Sequence, residues 1–569
     1  MIKKLRQLNI GSLLWVVLFI SITLFAFEPV KNYLANVDEY WFTLGMVFPL
    51  YLAVSAVIFT VGALTVTVLG RISKKASDVA MAILFPISMA IYIQGNLIPV
   101  TTGTLDGTAV DWSIVNIDMI FSDVLWGLAL GVIALGVFLA IKKKDLFAKI
   151  SKAFGTISVC MILLEAVTVV SLMTMNPGFN DKPYYDATDA GEFEFSSAQN
   201  IVMLLLDNYD SMYFEQALND EVMADFEDFT YYPDTVSKYG HTDLSLPQIL
   251  SGECYLNEQP FREYLKEAYG SSTFLSDLDA GGWKMGLYTD SPLPKCELLD
   301  KSVNLKNVNC AISSRKRFLT MIYQIAAYNV APYHLKQCFW FYPEFTDLKL
   351  SPSDEYGLYS WENQRFYEGL DVAGTIDETP MFKLFHLKGM HVVFETNEDV
   401  VDVGYDVGME ATREANRKIM TRLISKLKEM GAYDNSIIII LADHGDTFML
   451  EGGETGLGSL MEIGCEYKQN PLLLIKGINE HHDFLVSDKQ ISYDDLLPAY
   501  GKLISGVIGE DVFDSKETSG RTRTFYKHDD SNGESGSEYL SAIKEFTIDA
   551  HAWETDKLVD TGREYSNHE

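Results

Sequence analysis

Five apolar stretches occupy the first 175 residues, and they constrain this chain more than any other feature. A bilayer core of roughly 30 Å takes about 20 apolar residues per helix. Ile10–Phe27, Trp41–Leu69, Val79–Val100, Val124–Ile141 and Ala153–Met175 approach or exceed that length. A cleaved signal peptide would account for the first alone, but the run is long, lacks a clear small-residue cleavage site and is followed by four more, so it is read as an uncleaved helix. Lys3, Lys4 and Arg6 precede the first span; Arg71, Lys74 and Lys75 follow the second; Lys142, Lys143, Lys144, Lys149 and Lys152 follow the fourth. The other two loops hold only Lys31. Basic residues stay on the cytoplasmic side, so the N-terminus is expected inside, and an odd number of crossings places everything after Met175 outside. Glu165, the one carboxyl within the fifth span, is either functional or a helix-paired glutamate of the bundle.

Charge divides the chain at the same place. Through Met175 there are 12 Lys+Arg and 10 Asp+Glu, which leaves 33 against 68 beyond it, out of a total net charge of −33. A surface of that sign repels phosphate backbones, so nucleic acid is excluded as a partner. The six cysteines form no C-x-x-C pair, which removes a zinc knuckle or a dense disulfide scaffold; Cys296 and Cys310 alone are close enough in sequence for a short bridge.

Residues 176–200, rich in Gly, Pro, Asp and Ser without helical period, read as a juxtamembrane linker. From Ile201 short buried strands alternate with helical stretches, the mark of a mostly parallel sheet covered on both faces. The clearest strands are Ile201–Leu206, Met285–Tyr288, Val392–Phe394, Ser436–Ala442 and Leu472–Ile475, and Gly408–Met430 is an amphipathic helix stopped by Gly431. An α/β catalytic domain is therefore expected over 201–520, with a small C-terminal subdomain over 521–569.

Ligands of open parallel sheets gather beyond the carboxyl ends of strands. Two apolar runs end in carboxylates: IVMLLL leads into Asp207, Asn208, Tyr209 and Asp210, and SIIIILA into Asp443, His444, Gly445 and Asp446. Adjacent Asp and His at a strand end offer a cation one hard oxygen and one imidazole, and Asp207 adds a second oxygen. The alternative is that Asp443 caps a helix and His444 packs as a satisfied histidine. In YGHTDLSLPQILSG, Ser245 reads as an ordinary N-cap, whereas Thr242 has no comparable structural duty and is the candidate nucleophile, its hydroxyl activated by metal coordination. In FHLKGMHV, His391 is placed to donate to a phosphoryl oxygen or leaving group, and His386 is read as structural.

These four pieces, in this order, resemble the membrane-anchored branch of the alkaline phosphatase superfamily, which includes sulfatases, lipoteichoic acid synthases and phosphoethanolamine transferases. Asp207 ends the first strand as an acidic residue does there, Thr242 precedes Pro247 in a T-x-x-S-x-P pattern, and D-H-G falls on Asp443, His444 and Gly445 after G-x-Y-D-N-S at Gly431–Ser436. The histidine of the transferases' G-S-H segment falls on His391. The resemblance implies five transmembrane helices followed by an extracytoplasmic sulfatase-like α/β/α sandwich. It further implies one divalent metal (manganese or zinc, with magnesium as a further option) held by Asp207, Thr242, Asp443 and His444, with His391 on the substrate.

Two departures accompany it. No histidine separates D-H-G from the strand at Pro471–Ile475, where Cys465 or Glu466 stands in the neighbourhood, and the sulfatase C-x-P-S-R motif is missing. The expected activity is transfer of a phosphoglycerol-like headgroup from a membrane phospholipid to a cell-envelope glycan or lipid acceptor through a phospho-threonine. The alternatives are a phosphoethanolamine transferase, a phosphodiesterase or sulfuric ester hydrolase, and a non-catalytic lipid-sensing relative.

Overall fold

The structure is a computed structural model that describes residues 10–37, 40, 42–98, 117–176, 178–180, 184–306, 314–340, 358–446, 468–528 and 539–566. Lys3, Lys4, Arg6, Cys310, Cys465 and Glu466 lie outside the described residues, and with them part of the orientation argument and the short cysteine bridge. The chain divides into two compact units: Met1–Lys182 with Asn309–Pro352, and Pro183–Val308 with Ser353–Glu569.

The first unit holds five helices long and apolar enough to cross a membrane: α1 (Ile10–Ala35), α2 (Leu44–Ile72), α3 (Lys74–Leu97), α4 (Ile117–Lys142) and α5 (Lys144–Met175). Each of the five expected spans overlaps one of these helices; Trp41, Pro99 and Val100 lie outside the described residues. Apolar side chains face outward on them, as with Leu64, Leu128 and Val167, each more than three-fifths exposed, the surface a helix needs when its solvent is hydrocarbon. Inside, small and polar groups pair: Ser55 Oγ donates to the Ser21 carbonyl at 2.9 Å, and Thr23 Oγ1 donates to Glu165 Oε1 at 2.6 Å. Glu165 is thus paired across the helices through one oxygen, while its Oε2 is buried without a hydrogen-bond partner.

The sequence reading did not anticipate where α7 (Arg315–Val330) belongs. It lies within the stretch read as one catalytic domain, yet Phe318, Met321 and Ile322 share a buried cluster with Val30, Tyr33, Phe42, Val47 and Tyr51 of the helical unit. Its apolar positions carry a helical period that identifies a helix but not the surface it covers.

The second unit is built on a seven-stranded sheet of β1 (Asn200–Leu206), β2 (Thr230–Tyr231), β3 (Lys284–Tyr288), β4 (Met381–Leu387), β5 (Ser436–Leu441), β6 (Leu473–Lys476) and β7 (Leu485–Val486), in the order β7-β2-β6-β5-β1-β4-β3. Only β6 runs against its neighbours; all other pairings are parallel. Alternation along the strands divides the core. Ile201, Met203 and Leu205 of β1 face one buried cluster with Leu244, Leu246 and Ile249 of α6 (Thr242–Ser251), while Val202, Leu204 and Leu206 face another with Ile419, Leu423 and Leu427 of α8 (Met409–Glu429). Two apolar faces on one sheet require a layer on each side, which makes the unit an α/β/α sandwich. Three antiparallel strands, β8 (Arg523–His528), β9 (Ile543–Ile548) and β10 (Val559–Tyr565), form a small sheet within the stretch read as a C-terminal subdomain.

Two expectations fail locally. Residues 176–200 are not merely a linker, since Tyr184–Ala187 and Glu194–Ser196 are short strands of flanking sheets. No strand forms at Val392–Phe394; the strand is β4, upstream, whose buried Lys383 and His386 interrupt the apolar run that would have marked it. Gly389 turns the chain after β4 in the left-handed region, with φ of 57°.

Candidate active site

The site forms where β1 and β5 end side by side. Parallel pairing of these strands sets Leu441 opposite Leu205, so the residues that follow, Asp207 and Asp443, emerge together at the carboxyl edge of the sheet. Both are buried, Asp443 completely. Asp443 Oδ1 accepts the Asn208 amide at 3.1 Å, which fixes one carboxylate against the backbone that carries the other.

Thr242 arrives from the opposite direction as the first residue of α6. Its Oγ1 donates to Asp443 Oδ2 at 2.5 Å and lies 3.2 Å from Asp207 Oδ2. His444 Nε2 lies 3.2 Å from Asp443 Oδ2 and 3.9 Å from Asp207 Oδ1. The four residues singled out from the sequence therefore converge. Ser245 does not cap the helix: it sits one turn inside α6, where its hydroxyl donates to the Tyr239 carbonyl at 3.3 Å.

Two features of this cluster fit a cation. His444 Nδ1 sits 2.7 Å from the Gly445 carbonyl, a group that only accepts, so the ring proton belongs on Nδ1. The Nε2 lone pair then faces two carboxylates, a repulsive arrangement that a cation between them relieves. Asp207 Oδ1 is fully buried without a hydrogen-bond partner, an expensive position for a charged oxygen unless something else satisfies it. One ligand atom from each of Asp207, Asp443 and His444 lies within 4.8 Å of the others, and a hard carboxylate pair with one imidazole suits a divalent ion of the zinc or manganese type.

Backbone packing holds the carboxylates in place. A Cβ on Gly389 would meet the Asp207 N and O at 2.5 Å, and the amide of Met390 donates to the Asp207 carbonyl at 2.8 Å. Only glycine allows that approach at a positive φ. Gly445 is equally constrained, since its Cβ would lie 2.5 Å from Asp210 Oδ2. Asp210 caps the helix Ser211–Ala217 through Met212 N at 2.9 Å and also receives Asp446 N at 3.2 Å. Burial pushes its carboxyl well above the usual range.

His391 is half-buried, with Nδ1 2.6 Å from the Val392 carbonyl and its ring 5.5 Å from that of Trp361. His386, read as structural, proves closer to the chemistry. Its Nε2 lies 3.4 Å from Asp207 Oδ2, and its Nδ1 lies 2.9 Å from Thr289 Oγ1 and 3.2 Å from Asp290 Oδ1. Burial disfavours a charged ring there, but the hydrogen bonds to Asp207 and Asp290 outweigh it and push His386 up to about 10. Burial likewise opposes a charged Asp207, yet the neighbouring His391 and His386 hold it well below the usual carboxylate range. An alternating polar residue in an otherwise apolar strand, K-L-F-H, was the available signal for His386.

A further pair of histidines lies beyond His444. The His241 ring is 6.5 Å from His444 and 4.3 Å from His528, the last residue of β8. Histidines thus approach D-H-G from the flank of α6 and from the C-terminal sheet, positions that no local sequence pattern connects.

No family model matches the sequence, and no curated protein matches it. Among solved structures the chain is similar to a protein in the alkaline phosphatase superfamily from Vibrio parahaemolyticus, at 12% identity over 68% of this chain and 87% of that one, with a TM-score of 0.35. It is also similar to the phosphonate monoester hydrolase SpPMH from Silicibacter pomeroyi, at 12% identity over 64% and 89% with a TM-score of 0.32. A third is the C-terminal periplasmic domain of EcEptC from Escherichia coli in complex with Zn, at 12% identity over 57% and 85% with a TM-score of 0.30.

Proposed function

We propose that the chain is a metal-dependent transferase that moves a phosphoglycerol-like headgroup from a membrane phospholipid to an extracytoplasmic glycan or lipid acceptor, by way of a phospho-threonine at Thr242. The observation that carries this reading is the threonine hydroxyl at 2.5 Å from one buried carboxylate and 3.2 Å from another, beside an imidazole whose lone pair faces both. Such convergence has no value to an ordinary helix start, and it is what a weakly nucleophilic alcohol requires for activation.

A divalent cation held by Asp207, Thr242, Asp443 and His444 would lower the pKa of the hydroxyl and offset charge on the phosphoryl oxygens. Asp443 Oδ2 stands where it can take the Thr242 proton. Oγ1 then bonds to the phosphorus of the donor as the bond from phosphorus to the diacylglycerol oxygen breaks, and His391 supplies the proton to the departing oxygen. In the second half the acceptor hydroxyl gives its proton to His391 and displaces Thr242, which regains its own. The five membrane-length helices support a lipid donor, because tethering a domain to a bilayer raises the local concentration of such a donor. The acidic surface supports an uncharged acceptor rather than a polyanion.

The test is intact-protein mass spectrometry after incubating the full chain with phosphatidylglycerol labelled in its headgroup. Wild type is expected to gain one phosphoglycerol on Thr242 and to release diacylglycerol, with no adduct in Thr242→Ala. An adduct that persists in that variant, or one on Ser245, contradicts the assignment.

A further inference from the structure

A second concavity lies on the α/β unit away from Thr242. Its volume is about 380 Å³, and Asp234, Val486, Asp488, Thr518, His551 and Trp553 are on its wall. Asp234 follows β2, which is antiparallel to β6 and therefore parallel to β5. Asp234 thus lies beyond the carboxyl end of β2, the same end of the sheet as Asp443 at the end of β5.

Trp553 is 42% exposed, yet the loop that presents it is fixed from several sides. Asp234 Oδ2 binds His551 Nδ1 at 2.7 Å, and Asp234 Oδ1 accepts both the Ala552 amide at 2.8 Å and the buried Arg523 Nη1 at 2.7 Å. Gln469 Nε2 donates to the Ala552 carbonyl at 2.9 Å. The indole stacks on the His551 ring at 4.5 Å between centroids, 3° from parallel. An aromatic plane is thus held rigid with its back on an imidazole and much of its area in solvent, an arrangement that contributes little burial to the fold and much preorganised contact to a ligand.

The rest of the wall sets the class of ligand. Val486 is 55% exposed beside the indole, and the exposed Asp488 and Thr518 supply an acceptor and a hydroxyl at the rim. No Lys or Arg is among the described residues that line it, so an anionic group has nothing to pair with. A pyranose ring has the complementary form: a face of C–H groups for the aromatic plane and hydroxyls around its edge for the polar rim. We infer that this cavity is a binding subsite for an uncharged glycan. Calling that glycan the acceptor rests on the transferase reading above.

The experiment is saturation-transfer NMR on the full chain in lipid nanodiscs, with hexamers of N-acetylglucosamine and of glucose as probes. Wild type is expected to bind at least one hexamer saturably through ring protons, Trp553→Ala to lose affinity at least tenfold, and Asp488→Asn to lose about threefold. Formation of the Thr242 adduct from phospholipid in the absence of sugar should be the same in wild type and Trp553→Ala. Absence of transfer to either hexamer in wild type, or equal binding by Trp553→Ala, overturns the proposal. If sugar binding falls in Trp553→Ala while wild type forms no phospho-adduct, the subsite stands and the transferase reading fails.

Discussion

The helical unit and the α/β unit solve the same problem of apolar side chains in opposite solvents. On the helices, leucines and valines point outward and the buried contacts include pairs such as Thr23 with Glu165 and Ser122 with Gln94. In the sandwich, every residue of β1 and β5 is buried, and charge is concentrated beyond their carboxyl ends. The lesson lies in what each unit does with a buried carboxyl. Glu165 meets one hydroxyl across the helices, its Oε2 buried without a hydrogen-bond partner, whereas Asp207 and Asp443 converge on one hydroxyl and one imidazole, with His386 a further 3.4 Å neighbour of Asp207. A carboxyl that meets a single hydroxyl across two helices is a strut; two carboxyls that the backbone brings together on one hydroxyl and one imidazole mark a site.

The largest effect is expected at that convergence of carboxyls. Asp443→Asn preserves the shape but removes the charge that activates Thr242. Labelled-phospholipid turnover should fall on the order of 10³-fold or more, about 4 kcal/mol of barrier, while thermal unfolding of the metal-free protein stays near that of wild type. Retained turnover would reduce the carboxylate to a strut after all.

Next in size are two truncations that separate the units. Phe318→Ala empties a buried site of the cluster shared with Tyr33 and Tyr51, and should cost about 3 kcal/mol or more, read as faster hydrogen exchange in α1, α2 and α7. Ile439→Ala in β5 should cost a similar amount, read in the α/β unit alone. If Phe318→Ala loosens the sandwich instead, α7 has been assigned to the wrong body.

Lys383 gives a smaller, pH-dependent effect. Burial in β4 pushes it down to about 7, despite nearby Glu194 and Glu192. Between about pH 7 and 10 the unfolded chain binds this proton more than the folded one does, so stability should rise with pH across that window. Lys383→Met should remove this contribution, so wild type should gain a few kcal/mol at most relative to the variant as pH rises. A difference that is flat with pH would show that the three acceptors around Nζ, the Gly191 and Glu192 carbonyls and Tyr288 Oη, hold the lysine charged. The smallest effect belongs to the strut: a double-mutant cycle on Thr23→Val and Glu165→Gln should give a coupling of about 0.6 kcal/mol.

Much of this was legible in the sequence, and for identifiable reasons. The five helices follow from length and hydropathy, and the two strand ends from uninterrupted apolar runs that stop at Asp207 and Asp443. Thr242 stood out because a proline five residues later marked the helix that carries it. What remained hidden depends on distant pairing. His386 lies in a strand whose lysine and histidine break the apolar signature, α7 reveals its partner surface only in three dimensions, and His241 meets His528 across 287 positions of chain. Gly389 is the intermediate case: a glycine after a strand announces a turn, but its contact with the Asp207 backbone is visible only in the structure.

The central claim is that Asp207, Thr242, Asp443 and His444 share one divalent cation. Metal analysis by mass spectrometry on the purified full chain, alongside Asp207→Ala and Asp443→Ala, tests it most directly. The account predicts one tightly held zinc or manganese per wild-type chain and loss of that ion from each variant. A wild-type chain that takes up no divalent ion after supplementation, or variants that keep theirs, would contradict it.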